Sequence, residues 1–315
     1  MSSSSLSVGI IGARGYVGAE LLRLIDRHRL FRLVFASSRS LDGQGVSRVI
    51  PGIHSDIRFE HLAPQVVAER KADVLVLALP NGLAAGYVSA LPAEQVVIDL
   101  SADYRFDDTW YYGLPELTRA HASGKTRISN PGCYATAMQL ALAPVVDRLE
   151  TFPVCFGISG YSGAGTAPSD KNDPKNLADN IIPYKSVAHI HEREVSRQLG
   201  RPVRFLPNVA AFFRGIAMTV DMTLTDALTA QEALDHYQRF YEDEALISVQ
   251  MEAPHVNRVV NRPGAMVGGF CVEPERRRLV VHSTLDNLLK GAATQALQNI
   301  NLACGLEELE GIDIG

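Results

Sequence analysis

Short apolar, β-branched runs alternate with amphipathic stretches through the first third of the chain. The run at residues 6–12 (LSVGIIG) ends in glycines, and residues 16–26 after it carry apolar side chains at helical spacing. Further apolar runs follow at residues 32–36, 74–79 and 96–100. This alternation predicts an α/β protein with a Rossmann-like, doubly wound parallel sheet.

The pattern changes in the second half of the chain. Residues 154–163 and 204–225 read as longer strands, and residues 216–224 (IAMTVDMTL) alternate between apolar and polar positions. Such alternation is typical of an antiparallel strand with one solvated face. A second α+β domain with a mostly antiparallel sheet is therefore expected.

The final segment returns to the helical pattern. Residues 286–302 place apolar side chains at helical spacing, and we expect this helix to pack back on the first domain. We predict a dinucleotide-binding domain over residues 1–133, completed by the C-terminal helix in 286–315. Residues 134–285 then form a catalytic and dimerisation domain.

Composition narrows the function classes. A chain of 315 residues with 46% hydrophobic and 21% charged residues is long enough for two domains with buried cores. A net charge of -5 offers no basic surface for nucleic acid or anionic lipid, so a small molecule is the expected partner. No apolar run reaches membrane-spanning length, and Met1–Ser5 has no secretory pattern, which favours a cytoplasmic location.

Three glycines lie between the first strand and its helix in the pattern G-x-x-G-x-x-G. Backbone N–H groups in such a turn, with the helix N-terminus behind them, can receive a pyrophosphate. The usual spacing is G-x-G-x-x-G, and Arg14 stands here at the middle glycine position. A turn that needs glycine only for packing is the alternative. The candidate cofactor-binding residues are Gly12, Ala13, Arg14, Gly15, Tyr16, Val17 and Gly18.

The end of the second strand indicates which dinucleotide is bound. An acidic residue there would accept from the ribose 2′-hydroxyl of NAD. The sequence instead has Ser37, Ser38 and Arg39, whose hydroxyls and guanidinium suit the 2′-phosphate of NADP. A solvated loop is the alternative, and Asp42 nearby leaves NAD open.

Cys133 follows a Pro-Gly turn at the start of an Ala-rich apolar segment. A thiol at a helix N-terminus faces the positive end of the helix dipole, which favours the nucleophilic thiolate. The four cysteines form no CxxC pair, and we interpret Cys155, Cys271 and Cys304 as small buried hydrophobes.

Two histidines, His189 and His191, are candidates for the acid/base that a thiolate mechanism needs, with Glu194 three residues further on. Residues two apart do not share a helix face, so we expect only one of them to face the thiol and favour His189. A metal site is the alternative, but no third ligand of matching type is evident, and none is predicted.

Together, several motifs resemble the N-acetyl-gamma-glutamyl-phosphate reductase family of the aspartate-semialdehyde dehydrogenase superfamily. The resemblance runs through most of the chain. Its motifs are GARGYVG at 12–18, SSR at 37–39, LPNG at 79–82, DLSADYR at 99–105, YGLPE at 112–116, NPGCY at 130–134, SGAG at 162–165 and DNLLKG at 286–291.

The resemblance implies a reaction. It implies reduction of N-acetyl-glutamyl 5-phosphate to the semialdehyde in arginine biosynthesis, with NADPH, a thioacyl intermediate on Cys133 and a homodimer or homotetramer. The histidine motif of the family is H-R-H-x-x-E, and this chain has Ile190 at the arginine position. Residues 168–183 also differ from the family pattern.

The remaining candidates come from the same motifs and from the charges that the substrate calls for. The resemblance implies that Asn287 approaches the nicotinamide, and the other cofactor candidates are Pro80, Ser162 and Gly163. Arg105, Asn130 and Arg214 are the substrate-binding candidates, although each arginine could equally form a structural salt bridge. Lys171 and Lys175 lie in a polar loop that favours a solvated interpretation, so neither is assigned.

Two rival functions stay open at this point. A reductase of a related acyl phosphate, aspartyl or aminoadipyl, would keep every catalytic residue and change only the pocket. A non-catalytic NADP-binding sensor would keep the glycine turn but has no use for Cys133 at a helix start beside histidines.

Overall fold

The structure is a computed structural model that describes residues 5–314. Residues 1–4 and 315, which the predicted domain boundaries and the N-terminal interpretation include, lie outside the described residues. Between residues 5 and 314, each helix is too short or too polar to cross a membrane.

The chain divides into two compact units. One contains the chain up to Pro131 together with Ala292–Asp313, and the other contains Gly132–Gly291 with Ile314. This division places the candidate glycine turn in the first unit. The candidate nucleophile and both histidines lie in the second.

A seven-stranded sheet forms the centre of the first unit. Its strands are β1 (Leu6–Ile11), β2 (Phe31–Ser37), β3 (Phe59–Glu60), β4 (Val74–Leu77), β5 (Val96–Asp99), β6 (Tyr111–Tyr112) and β7 (Arg127–Ser129). The order is β3-β2-β1-β4-β5-β7-β6, and the strand pairs are parallel. The order reverses between β1 and β4, so the predicted doubly wound, Rossmann-like sheet is confirmed.

Helices of the first half of the chain are short except for the first. They are α1 (Tyr16–Arg27), α2 (Val46–Val49), α3 (Pro64–Glu69), α4 (Ala84–Val88) and α5 (Pro115–Thr118). In α1 the apolar positions Leu21, Leu22 and Ile25 are buried, as their spacing predicts.

The second unit contains a mixed seven-stranded sheet. Its strands are β8 (Val154–Gly160), β9 (Ile181–Pro183), β10 (Arg204–Ala210), β11 (Ile216–Thr223), β12 (Ile247–Gln250), β13 (Ala265–Glu273) and β14 (Arg278–Leu285). The order is β12-β13-β14-β11-β8-β10-β9. Only the β8–β10 and β12–β13 pairs are parallel, which confirms a mostly antiparallel sheet.

The helices that follow are α6 (Cys133–Leu142), α7 (Pro174–Leu177), α8 (Ile190–Leu199), α9 (Ala230–Phe240) and α10 (Thr294–Ala303). In α6 every residue from Tyr134 to Leu142 is buried, because small alanines let the helix lie deep in the core. Ser283 and Tyr237 donate to the carbonyls of Ala137 and Ala141, at 2.7 and 2.6 Å. The helix that carries Cys133 is thus fixed by its surroundings.

Two segments differ from their predicted form. The strand predicted over residues 204–225 is two strands, β10 and β11, because the chain turns between them at Gly215 with φ +110. The C-terminal helix begins as a π-helical turn at Leu289 rather than at residue 286. Asp286 instead accepts the backbone N–H of Leu288 at 2.9 Å, in the manner of a cap.

The interpretation of the other cysteines holds for one of three. Cys155 is buried, Cys304 is half-buried, and Cys271 is exposed on β13. The register of β13 shifts between Gly268 and Cys271, so a bulge changes the face that the following residues occupy. Alternation read from the sequence does not reveal such a shift.

Candidate functional site

The glycine turn of the first unit is drawn tightly against the ends of the neighbouring strands. Gly12 has φ +83, and a Cβ there would lie 2.2 Å from the carbonyl oxygen of Ala78. A Cβ on Gly18 would lie 2.8 Å from the backbone of Ala13, so the helix approaches the turn closely. The N–H groups of Gly12 and Ala13 donate to the carbonyl of Ser37, both at 3.0 Å.

Helix α1 begins from Gly15 without a side-chain cap. Its first-turn N–H groups have no helical acceptors, and an anion can take that place. Arg14, at the position where the common motif has glycine, is exposed. The turn and the helix end together fit the pyrophosphate of a dinucleotide.

The end of β2 carries two buried serines followed by an exposed arginine. Ser37 Oγ accepts the N–H of Leu62 at 3.3 Å, so this hydroxyl supports the loop. Arg39 is exposed, and within residues 5–314 it has no ion-pair partner. Asp42, the acidic residue because of which the sequence leaves NAD open as the cofactor, accepts the N–H of His61 at 2.9 Å. Its carboxylate is therefore bonded to the protein backbone.

Pro80 is exposed in the loop after β4. Asn81 Oδ1 accepts the N–H of Ala102 at 3.0 Å, and the N–H of Gly82 donates to Asp103 Oδ1 at 2.6 Å. The loop that contains Pro80 is therefore held by the loop after β5, at the same edge of the sheet as the glycine turn.

Arg105 and Asn130 are buried and bonded to backbone. Arg105 Nε donates to the carbonyl of Asn130 at 2.9 Å, and Nη2 donates to Leu100 at the same distance. Asn130 Nδ2 donates to the carbonyl of Ala292 at 3.2 Å, and its Oδ1 accepts from Asn299 at 3.0 Å. Both side chains thus bond to the chain just before Cys133 or to its neighbours, and their substrate-binding role stays a prediction.

Cys133 is the first residue of α6 and is half-buried. The N–H of Gly132, immediately before it, donates to Oε1 of Glu194 on α8 at 2.9 Å. A Cβ on Gly291 would lie 2.8 Å from the Cβ of Cys133, so only glycine fits there. Gly291 was within a recognised motif, but only the fold shows that it touches the thiol residue.

Both histidines lie close together, and the expectation that only one of them faces the thiol stays a prediction. His189 is the N-cap of α8, and its Nδ1 accepts the N–H of His191 at 3.1 Å. The ring centroids are 4.9 Å apart. The argument about helix faces fails because His189 precedes the helix. Within residues 5–314, no group of three His, Cys, Asp or Glu residues could hold a metal ion.

The electrostatic surroundings of His189 keep its ring neutral. Burial first, and then the positive charges of Lys185 and Lys171, lower the pKa of His189 to about 4. A neutral ring whose Nδ1 accepts a hydrogen bond carries its proton on Nε2. The lone pair that could take up a proton is therefore already engaged in the helix cap.

Two tyrosines that the sequence analysis did not assign to the site, Tyr134 and Tyr184, are close enough to Cys133 for its charge to act on them. Tyr134 donates from its hydroxyl to the carbonyl of Asn208, and its ring lies 6.0 Å from that of His191. Burial, followed by the charge of Cys133, raises the pKa of Tyr184. Tyr134 follows Cys133 directly in the sequence, whereas Tyr184 comes near it only through the fold.

Ser162, Gly163, Asn287 and Arg214 lie in one group of contacts, in which Ser162 and Asn287 are buried, Arg214 is half-buried and Gly163 is exposed. Asn287 donates to Ser162 Oγ at 2.9 Å and accepts the N–H of Gly215 at 2.6 Å. A Cβ on Gly163 would lie 2.9 Å from Ser159 Oγ. Arg214 pairs with buried Asp286 at 2.6 Å, the structural salt bridge that the sequence left as an alternative.

Two family models match consecutive parts of the chain. Residues 7–125 match the semialdehyde dehydrogenase NAD binding domain, and residues 133–287 match the semialdehyde dehydrogenase dimerisation domain. The first match supports a nicotinamide cofactor. The two matches meet close to the junction between the two compact units.

Curated relatives match over the full length. The N-acetyl-gamma-glutamyl-phosphate reductase of Xanthomonas oryzae is 54% identical, covering 99% of this chain and 100% of its own. Its namesake from Stenotrophomonas maltophilia is 53% identical, covering 99% of each chain. Among solved structures, aspartate semialdehyde dehydrogenase II of Vibrio cholerae has a TM-score of 0.77 at 19% identity, covering 96% of this chain and 99% of its own. That likeness concerns the fold alone.

Proposed function

The chain belongs to the N-acetyl-gamma-glutamyl-phosphate reductase family, and we propose that it reduces N-acetyl-glutamyl 5-phosphate to the semialdehyde, with release of phosphate, in arginine biosynthesis. The observation that carries the proposal is Cys133 at the first position of α6, held between Gly291 and the Gly132–Glu194 hydrogen bond. A structural cysteine needs none of these supports.

Particular residues of the chain are assigned to the steps of the proposed reaction. The Cys133 thiolate attacks the acyl carbon, the carbon–oxygen bond to phosphate breaks, and a thioester forms. The glycine turn and the start of α1 would hold a nicotinamide cofactor, which when bound would supply the hydride that converts the thioester on Cys133 into a thiohemiacetal. The carbon–sulfur bond then breaks, which releases the aldehyde and restores the thiolate. The N–H groups of the first turn of α6, which have no acceptor within the helix, stabilise the oxyanion.

We assign the proton that the thiohemiacetal oxygen gains and loses to His191 rather than to His189. The Nδ1 of His189 is occupied as the cap of α8, and its pKa of about 4 disfavours protonation at neutral pH. The His191 ring lies beside that of Tyr134, which is the residue after Cys133. The N-cap of α8 is His189 and not His191. His189 then positions His191 by fixing the start of the helix.

We propose NADP as the cofactor. Exposed Arg39 follows buried Ser38 at the end of β2, a place from which a guanidinium can bind a 2′-phosphate. The carboxylate that would favour NAD, on Asp42, accepts a backbone hydrogen bond instead. In this proposal the first unit binds the dinucleotide and the second carries out the acyl chemistry.

We also propose that the protein is a homo-oligomer in the cytoplasm. The outer face of the second sheet exposes Phe156 and Leu206, which are register partners on β8 and β10, to 42% and 38%. The matching dimerisation-domain model covers both residues. Sedimentation of the Phe156→Arg variant should show a smaller species than the parent. A cytoplasmic location agrees with four cysteines that form no disulfide with one another, as is usual in a reducing compartment.

Phosphate-dependent reduction of NADP with N-acetyl-glutamate semialdehyde tests the function. We expect turnover with this aldehyde and little with aspartate or aminoadipate semialdehyde. Cys133→Ala should lose at least about 10⁴-fold in kcat while it still binds NADPH. Cys271→Ala, which removes an exposed thiol, should behave as the parent. Turnover only with another aldehyde would reassign the substrate, and none with any would favour the NADP sensor.

A further inference from the structure

Lys171 lies over the aromatic ring of Tyr184, a side chain on which the charge of Cys133 acts. Its Nζ is 4.6 Å from the centroid of the Tyr184 ring, a cation–π contact. Lys171 is half-buried, whereas Lys175, in the same polar loop, is exposed. The structure therefore separates two lysines that look equivalent in the sequence.

The loop that carries Lys171 is held in place by its neighbour Asn172. Asn172 Nδ2 donates to the carbonyls of Gly165 and Ala167, at 3.0 and 2.8 Å. Its Oδ1 accepts the N–H of Ser169 at 2.8 Å. All the hydrogen-bonding groups of this amide serve to fold the loop, so the ammonium of Lys171 is presented from a defined position.

Tyr184 connects this ammonium to the reacting centre. Its hydroxyl forms a side-chain hydrogen bond with Tyr134, and the charge of Cys133 acts on it directly. The other aromatic neighbour is His189, whose ring centroid is 5.7 Å from that of Tyr184. Tyr184 therefore has three neighbours: Lys171 lies over its ring, His189 packs against the ring edge, and its hydroxyl meets Tyr134.

The charge of Lys171 has no protein counter-ion. Within residues 5–314, no carboxylate pairs with its Nζ. Its charge and that of Lys185 both act on buried His189. A half-buried ammonium beside a second cation favours an anion from solution.

We propose that Lys171 binds the carboxylate of the substrate at the end remote from the reacting acyl group, an inference that rests on the proposed function. The substrate has two anionic groups. The phosphate is bonded to the acyl carbon that the thiol attacks, so its ligands must lie at the thiol itself. The carboxylate lies several carbon–carbon bonds away, and Lys171 is related to Cys133 through a shared neighbour, since its ammonium contacts the Tyr184 ring and the charge of Cys133 acts on the same side chain. A Lys at this place selects acyl phosphates of amino-acid derivatives that keep a free α-carboxylate.

Protection of Cys133 from alkylation tests this binding without turnover. N-acetyl-glutamate, and its analogue with the α-carboxylate converted to an amide, are compared as protectants against iodoacetamide. Mass spectrometry of the Cys133 peptide gives the rate, and the exposed Cys271 serves as the unprotected reference. The proteins are the parent, Lys171→Gln and the matched control Lys175→Gln.

We expect half-protection of Lys171→Gln to need about tenfold more N-acetyl-glutamate, the effect of one lost charge-assisted hydrogen bond. Lys175→Gln should match the parent, and the amide analogue should protect all three proteins equally. In the enzyme assay, Lys171→Gln should raise the KM for the semialdehyde about tenfold and leave the KM for phosphate unchanged.

A raised KM for phosphate alone would make Lys171 a phosphate ligand and overturn the proposal. Equal protection of the parent by acid and amide would also overturn it, and this result needs no variant. Protection by N-acetyl-glutamate together with turnover, but without any effect of Lys171→Gln, would refute the inference and leave the proposed function intact. Absence of both protection and turnover in the parent would refute the proposed function.

Discussion

The two candidate sites are built from different parts of the polypeptide. In the first unit the contacts of the glycine turn are made by backbone atoms, as in the bonds from Gly12 and Ala13 to Ser37. In the second unit the surroundings of Cys133 are side chains from separate elements, among them Glu194 and Tyr184. One site depends on the absence of side-chain atoms and the other on their presence.

This difference determines what kind of change each site tolerates. A backbone site is disturbed when a Cβ is added where the chain approaches itself, and it is indifferent to most exposed side chains. A side-chain site is disturbed by replacements that keep the shape but alter one polar atom. The following four predictions use these two kinds of change.

The largest effect is expected from replacing His191, the histidine that is not the N-cap of α8. His191→Asn should lower kcat by about 10²- to 10³-fold, because general acid–base catalysis contributes on that scale. His189→Asn should lose less than about tenfold, because asparagine caps a helix as well as the native ring does. Steady-state kinetics with NADPH binding as the control distinguish them. A greater loss in His189→Asn would return the acid/base role to that residue.

The stability of the protein at acid pH tests the state of the His189 ring without an activity assay. The pKa of His189 falls from 6.5 to about 4 in the fold. The contribution of the neutral His189 ring to the free energy of unfolding is therefore complete above pH 6.5 and is lost as the pH falls through 4. Urea unfolding at pH 7 and at pH 4 measures it. His189→Asn should lose less stability over that interval than the parent, by at most about 3 kcal/mol. Equal losses in the two proteins would show that the ring does not titrate in this way.

Gly12→Ala tests the backbone site. The new Cβ would lie 2.2 Å from the carbonyl of Ala78, and φ +83 is unfavourable for alanine. We expect about 2 kcal/mol lower stability and about tenfold weaker NADPH binding. Gly43→Ala is the control, since Gly43 has φ +76 but nothing within 4 Å of its Cβ. If both variants bind NADPH as the parent does, the turn does not form the cofactor site.

The smallest effect is expected at the exposed end of the cofactor site. Arg39→Ala should raise the KM for NADPH about tenfold and leave the KM for NADH unchanged, because only NADPH has the 2′-phosphate. Arg48→Ala, an exposed arginine on α2, should change neither constant. Equal changes with both cofactors would argue against discrimination by Arg39.

Much of the first unit could be predicted because its signals are local. The glycine spacing and the apolar runs at residues 6–12 and 74–79 predicted the strand–turn–helix order, and the sheet confirms it. The buried spacing of α1 and the placement of Cys133 at the start of α6 follow from the same kind of signal. Each of these signals depends on residues that lie within a few positions of one another in the sequence.

The second site could be predicted only in part. The histidines were found, but their mutual geometry was not, because His189 caps α8 instead of lying on it. The bulge that exposes Cys271 and the break at Gly215 also left no clear trace in the pattern. Such features depend on strand pairing, which joins residues far apart in sequence.

By itself the sequence determined the α/β class, the place of Cys133 at a helix start and the glycine turn between β1 and α1. All three rest on periodicity, turn chemistry and backbone constraints that neighbouring residues impose. Only the tertiary structure decided that Glu194 bonds to Gly132, that Gly291 touches Cys133 and that Lys171 lies on Tyr184. These contacts join residues from different elements, and their formation depends on how the core packs rather than on any local preference.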